Sequence, residues 1–132
     1  MPVDVLVVDD DADLRSPLVE LLRDEGYVVD ELGTAQGLLQ KIASGQPKLI
    51  LLDLTLPGGD LRALIEQGHR DHLFEGRVTL ALSGLEDAAT LADEMGLNGA
   101  VRKPFDILSL LAQVAKVCRA AGSTRPGAQP GV

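Results

Sequence analysis

The stretch VDVLVVDDDADLR, residues 3–15, runs an apolar segment straight into three consecutive aspartates, Asp9, Asp10 and Asp11. The apolar part is too short for a helix and too uniformly apolar for a strand with one wet face. Strands buried on both faces of a parallel sheet read this way. The aspartates pose a separate problem, because like charges about 4 Å apart cost each other roughly 4 kcal/mol at an effective dielectric of 20. Such a cluster is either splayed into water as a loop or helix cap, or it holds a cation.

The same kind of run recurs at KLILL (48–52) and RVTLAL (77–82), with weaker candidates at YVVDEL (27–32) and GAVR (99–102) near the sheet edges. Helical spacing fills the gaps. Leu14, Leu18, Leu21 and Leu22 form an apolar stripe that stops near Gly26. Asp11 or Asp13 caps that helix, and Pro17 fits only within its first turn. TAQGLLQKIAS opens on the cap-type Thr34, DLRALIEQGH (60–69) and EDAATLADEM (86–95) follow, and DILSLLAQVAKVCRAA (106–121) has Asp106 as its cap. Strand–helix repeated five times predicts an α/β fold, a doubly wound five-stranded parallel sheet with helices on both faces. Ligands of such sheets sit at the carboxyl ends of the strands.

Composition narrows the function. The 132 residues predict one domain, residues 1–120, followed by a Gly- and Pro-rich tail or linker at 121–132. Tyr27, Phe74 and Phe105 are the whole aromatic set, so the core is aliphatic and no base-stacking platform exists. A net charge of −8 argues against direct nucleic-acid binding by this domain. The lone Cys118 excludes an intrachain disulfide and a thiolate zinc site. No apolar run approaches a membrane span, and the N-terminus lacks the basic segment of a signal peptide. The expectation is a cytoplasmic domain with no membrane partner.

The strand ends carry the chemistry. The first ends in Asp9 and Asp10, the third in Asp53, the fourth in Ser83 and Gly84, the fifth in Lys103 and Pro104. In one parallel sheet these groups converge on a single rim. Each taken singly has a plain structural reading: Asp11 a helix cap, Asp53 the start of a turn, Ser83 a loop hydroxyl, Lys103 a solvated charge. Together they form a coherent set. Three carboxylates suit a hard divalent cation, Mg²⁺ or Mn²⁺. One carboxylate can attack phosphorus, while a lysine and a hydroxyl stabilise the phosphoryl oxygens.

This arrangement resembles the receiver domain of bacterial two-component response regulators, over residues 3 to about 120, through VVDDD, LLDLTLPGGDL, LSG and KPF. The resemblance implies a flavodoxin-like sheet of order 2-1-3-4-5. It implies that Asp53 is the phosphoacceptor, served by a histidine kinase or histidine phosphotransfer protein. It further implies that Asp9, Asp10, Asp53 and the backbone carbonyl of Thr55 bind Mg²⁺, that Ser83 is the signalling hydroxyl, and that Lys103 reaches the phosphoryl group. The Lys103–Pro104 bond is implied to be cis. Such a domain is not an enzyme in the usual sense, since it assists only its own phosphorylation and dephosphorylation. One position departs: the family's switch aromatic, three residues before the lysine, is Ala100 here.

Two other readings stay open. A degenerate receiver would serve only as a protein-binding module. A haloacid dehalogenase-type phosphohydrolase would use Asp9 within Asp9-Asp10-Asp11, but would leave Asp53 unexplained and lacks an acidic pair after the lysine. His69 and His72 read as exposed helix residues rather than metal ligands. Walker and G-x-G-x-x-G loops are absent. The cognate kinase, output partner and oligomeric state are not legible in the residues.

Overall fold

A computed structural model describes residues 2–120; Met1 and the expected linker at 121–132 lie outside the described residues. The elements alternate as β1 (Val5–Val8), α1 (Ala12–Asp24), β2 (Val29–Leu32), α2 (Leu38–Gly45), β3 (Leu49–Asp53), α3 (Leu61–Arg70), β4 (Val78–Ser83), α4 (Ala88–Glu94), β5 (Gly99–Arg102) and α5 (Ile107–Ala120). All strand pairs are parallel, in the order β2-β1-β3-β4-β5. The doubly wound sheet is as the sequence predicts, with the two weaker strands at its edges.

Alternation along the central strands divides the core. Leu6, Val8, Ile50, Leu52 and Ala81 pack with Leu38, Ile42, Ile65 and Ala92 of α2, α3 and α4. Val5, Val7, Leu49, Leu51 and Leu82 pack with Leu18, Val19 and Leu22 of α1 and Leu110, Val114 and Cys118 of α5. Successive strand side chains point to opposite faces, so each run feeds both layers. Every residue of β1 and β3 is buried. Each fully buried Leu, Ile or Val contributes about 1.5–3 kcal/mol, which anchors the strand ends that carry the polar residues.

Three local expectations are corrected. Thr34 does not cap α2: its hydroxyl donates to the Gln36 carbonyl, and the helix begins only after Gly37. Gly37 sits at φ 87°, a left-handed conformation that costs a glycine little and keeps the preceding turn out of the helix. Pro17 lies inside α1, beyond its first turn, on the exposed face. β4 is not buried on both faces, because Val78 and Leu80, which look toward α5, are only half-buried.

The caps behave more simply. Asp11 accepts from the Asp13 amide at the start of α1, and Asp60 accepts from the Ala63 amide at the start of α3. Asp60→Ala should lower stability by about 1 kcal/mol, the usual cost of a lost N-cap, as read from a denaturant midpoint; an unchanged midpoint would contradict the capping role. Among the described residues no helix is long and apolar enough to cross a membrane.

Candidate functional site

β1 and β3 are neighbours in register, Val8 beside Leu52, so the residues that follow them meet at the carboxyl edge of the sheet. Chain order reverses between these two strands, the switch point where doubly wound sheets bind ligands. Asp9 and Asp53 are buried there and Asp10 is exposed, with one carboxylate oxygen of each lying within 4.8 Å of the others. The oxygen-only donor set and the mixture of buried and wet ligands fit a hard cation that keeps some of its water.

Each buried carboxylate is held differently. Asp9 accepts from the Asp11 amide at 2.9 Å through Oδ1 and from Lys103 Nζ at 2.7 Å through Oδ2. Asp53 Oδ1 accepts twice from Thr55, from its amide at 3.0 Å and its hydroxyl at 2.9 Å. Asp53 Oδ2 faces Lys103 Nζ at 3.8 Å, an ion pair too long for a hydrogen bond. The lysine therefore rests on Asp9 and looks toward Asp53. Burial pushes the Asp53 carboxyl above its ordinary value, with Asp10 and Asp9 adding to the rise and the two Thr55 bonds opposing it.

Ser83 lies at the end of β4, one residue past the Asp53–Leu82 pairing. Its buried hydroxyl oxygen accepts from the Leu85 amide at 3.0 Å, so its own O–H remains a donor. The Lys103 amide donates to the Ser83 carbonyl at 2.8 Å, linking the ends of β4 and β5. The Lys103–Pro104 peptide is cis. A Cβ added at Gly84 would meet nothing within 4 Å, so the approach to the rim on this side is open. Ala100 pairs with the buried Ala81 in the β4–β5 register.

Thus Asp9, Asp10, Asp53 and Lys103 come together, with Ser83 beside them, while Asp11 turns away to cap α1. Two supporting groups escaped the sequence reading. The Thr55 hydroxyl is one; its signal was the D-x-T spacing, which lets a hydroxyl reach back to a carboxylate two residues earlier. Arg15 is the other: it donates to the Asp9 carbonyl at 2.5 Å and pairs with Glu31 of β2 at 2.9 Å. Neither His69 nor His72 belongs to a cluster of three metal-type ligands among the described residues, though both line one small pocket, and His72 is not on the helix as expected. His69 Nε2 bonds the Met95 carbonyl, and His72 lies past the end of α3 at φ 60°, paired with Glu75.

A family model described as the response regulator receiver domain matches residues 5–115. An uncharacterized 14.6 kDa protein of Leptolyngbya boryana is 34% identical over 122 residues, covering 89% of this chain and 92% of its own. The phosphate regulon transcriptional regulatory protein PhoB of Pseudomonas aeruginosa is 32% identical over 120 residues, and the nitrogen assimilation regulatory protein NtrX of Azorhizobium caulinodans 33% over 108. The chain covers 89% of itself in the first match and 80% in the second, but spans only 52% of PhoB and 24% of NtrX. Among solved structures, a response regulator receiver domain protein of Methanospirillum hungatei superposes with a TM-score of 0.79 at 25% identity, over 92% of this chain and 98% of that one. A protein of Chloroflexus aurantiacus described as a putative response regulator gives 0.78 at 29% identity, over 90% and 99%.

Proposed function

The chain belongs to the response regulator receiver domain family, and from that premise we propose that it is a phosphorylation switch of two-component signalling in which Asp53 accepts a phosphoryl group from the histidine of a kinase or phosphotransfer protein. The observation that carries this reading is the asymmetry of the two buried carboxylates. Both oxygens of Asp9 are engaged by hydrogen bonds, whereas Asp53 has one oxygen fixed by Thr55 and the other directed at Lys103. The same asymmetry favours Asp53 over Asp9 as nucleophile, and so favours the receiver chemistry over that of a haloacid dehalogenase-type phosphohydrolase.

The chain's own groups divide the work. Thr55 orients the Asp53 carboxylate so that Oδ2 attacks phosphorus. A new O–P bond forms as the N–P bond of the phosphohistidine breaks, and the leaving imidazole keeps the electron pair. Lys103 Nζ, already 3.8 Å from Oδ2, needs only a small swing from Asp9 to reach a phosphoryl oxygen. The Ser83 O–H supplies a second donor. Mg²⁺ or Mn²⁺, held by Asp9, Asp10, Asp53 and the Thr55 carbonyl, would supply the remaining positive charge against the phosphoryl oxygens. The rim assists this transfer and the later hydrolysis, in which water attacks phosphorus, the Asp53 O–P bond breaks and inorganic phosphate leaves.

The test is exposure to acetyl phosphate with Mg²⁺, followed by intact-mass measurement. One phosphoryl group per chain, removable by hydroxylamine as an acyl phosphate is, supports the proposal. No incorporation under these conditions would leave the binding-module reading in its place.

Ala100 sets the expected response of the distant face. A large aromatic at this position can choose between a buried and an exposed rotamer, whereas alanine has no such choice. Beryllofluoride, a phosphoryl mimic, should therefore shift amide NMR signals at the rim, around Asp53, Ser83 and Lys103, and leave those of α5 nearly unmoved. Large shifts running from Ser83 through Ala100 into residues 107–120 would contradict the weak coupling.

A further inference from the structure

At the amino-terminal edge of the sheet a cavity of about 510 Å³ opens between β4 and the last turns of α5. Its volume lies within the range of about 300–1,000 Å³ usual for small-ligand sites. Val78, Leu80 and Val117 provide apolar walls, and Lys48, Arg77 and Lys116 stand around them. Among the described residues, Lys48, Arg77 and Lys116 line this cavity and no Asp or Glu does. In a chain of net charge −8, that is the reverse of the overall balance.

The cations are unevenly committed. Lys48 pairs with Asp4 at 3.2 Å. The guanidinium of Arg77 is fixed by the Pro47 carbonyl at 2.9 Å and the Gln46 side-chain oxygen at 3.0 Å, both uncharged, while its Nε is buried with no hydrogen-bond partner. Among the described residues neither Arg77 nor Lys116 has an ion-pair partner. Burial lowers the Arg77 pKa, because a guanidinium partly stripped of water and given no counter-charge is less well stabilised. An anion in the cavity would supply the missing charge. The half-buried faces of Val78 and Leu80 explain why an apolar body would follow it: among the described residues of the central strands, these two are only partly covered by the helix layer.

We propose that this cavity binds a small amphipathic anion, a carboxylate on a short apolar chain, with the head group between Lys116 and Arg77 and the chain on Val78, Leu80 and Val117. The site is independent of the phosphoacceptor. From Val78 to Leu82, the register partner of Asp53, there are four residue steps, about 13 Å at the rise of a parallel strand.

The test uses octanoate as probe in an amide NMR titration of the full chain, with octan-1-ol as the uncharged control. Saturable shifts centred on Gly76, Val78 and Val117 are expected with octanoate and not with octanol. Lys116 is exposed, so Lys116→Glu should fold normally and weaken octanoate tenfold or more, while Asp53→Asn should bind it as wild type does. Equal binding of octanol, unchanged affinity in Lys116→Glu, or shifts scattered away from this edge would each overturn the proposal.

Discussion

Asp53→Asn is expected to reduce phosphoryl incorporation from acetyl phosphate to background while Mg²⁺-dependent labelling of the wild type proceeds to one group per chain. The amide is nearly isosteric and can still accept both Thr55 hydrogen bonds through its oxygen, so the rim keeps its shape. What disappears is the second oxygen, the atom facing Lys103, and with it the anionic nucleophile. Peptide mapping of the wild-type adduct should place the added mass in the segment containing Asp53. Equal labelling of the two proteins would overturn the assignment of Asp53 as the acceptor.

The same substitution has a second readout without phosphate. The native Asp53 carboxyl titrates above its ordinary value, so as pH rises the unfolded chain loses this proton first. The native state therefore loses stability from this group as pH climbs from the ordinary carboxylate value through the raised one. In the absence of metal at neutral pH, Asp53→Asn should melt at a higher temperature than wild type, with that advantage fading in acid. A variant that melts lower at neutral pH would contradict the assigned burial cost.

Lys103→Met carries the second large effect. Lys103 is the counter-charge of a fully buried carboxylate, with Nζ 2.7 Å from Asp9 Oδ2. Removing one partner of a buried pair leaves an uncompensated charge, a loss of about 3 kcal/mol at the lower end of the usual range. For a domain of this size that is a fall in melting temperature of roughly 10 °C. The methionine keeps the apolar stem, so packing is not the cause. Millimolar Mg²⁺ should recover much of the loss, because a cation binding only the native state stabilises it by mass action, about 2.7 kcal/mol at 100 times its Kd. Phosphoryl labelling should stay slow even then. A melting temperature insensitive to the substitution, or a loss that Mg²⁺ does not reduce, would refute this account of the rim.

The β–α alternation, the parallel sheet and the identity of the rim residues were all legible because they are local. A strand buried on both faces announces itself within five or six residues, and in a parallel sheet the residue that ends each run must lie at the same edge. Asp9, Asp53, Ser83 and Lys103 were found by that rule alone. Where local signals competed, the reading failed: Thr34 looked like a cap until Gly37 proved to set the helix start.

By itself, then, the sequence determined the layers, the edge at which the polar residues gather and the kind of chemistry they suit. Only the tertiary structure decided how those residues share their bonds. Lys103 rests on Asp9, 94 positions away, and not on Asp53; Arg15 ties the Asp9 carbonyl to Glu31; the lower half of β4 is left partly bare beside α5. Periodicity and capping act over a turn or two of chain. A contest between two carboxylates for one ammonium is settled by differences of about 1 Å between groups that no local pattern connects, and at such separations the Coulomb energy inside a protein changes by amounts comparable to a whole hydrogen bond.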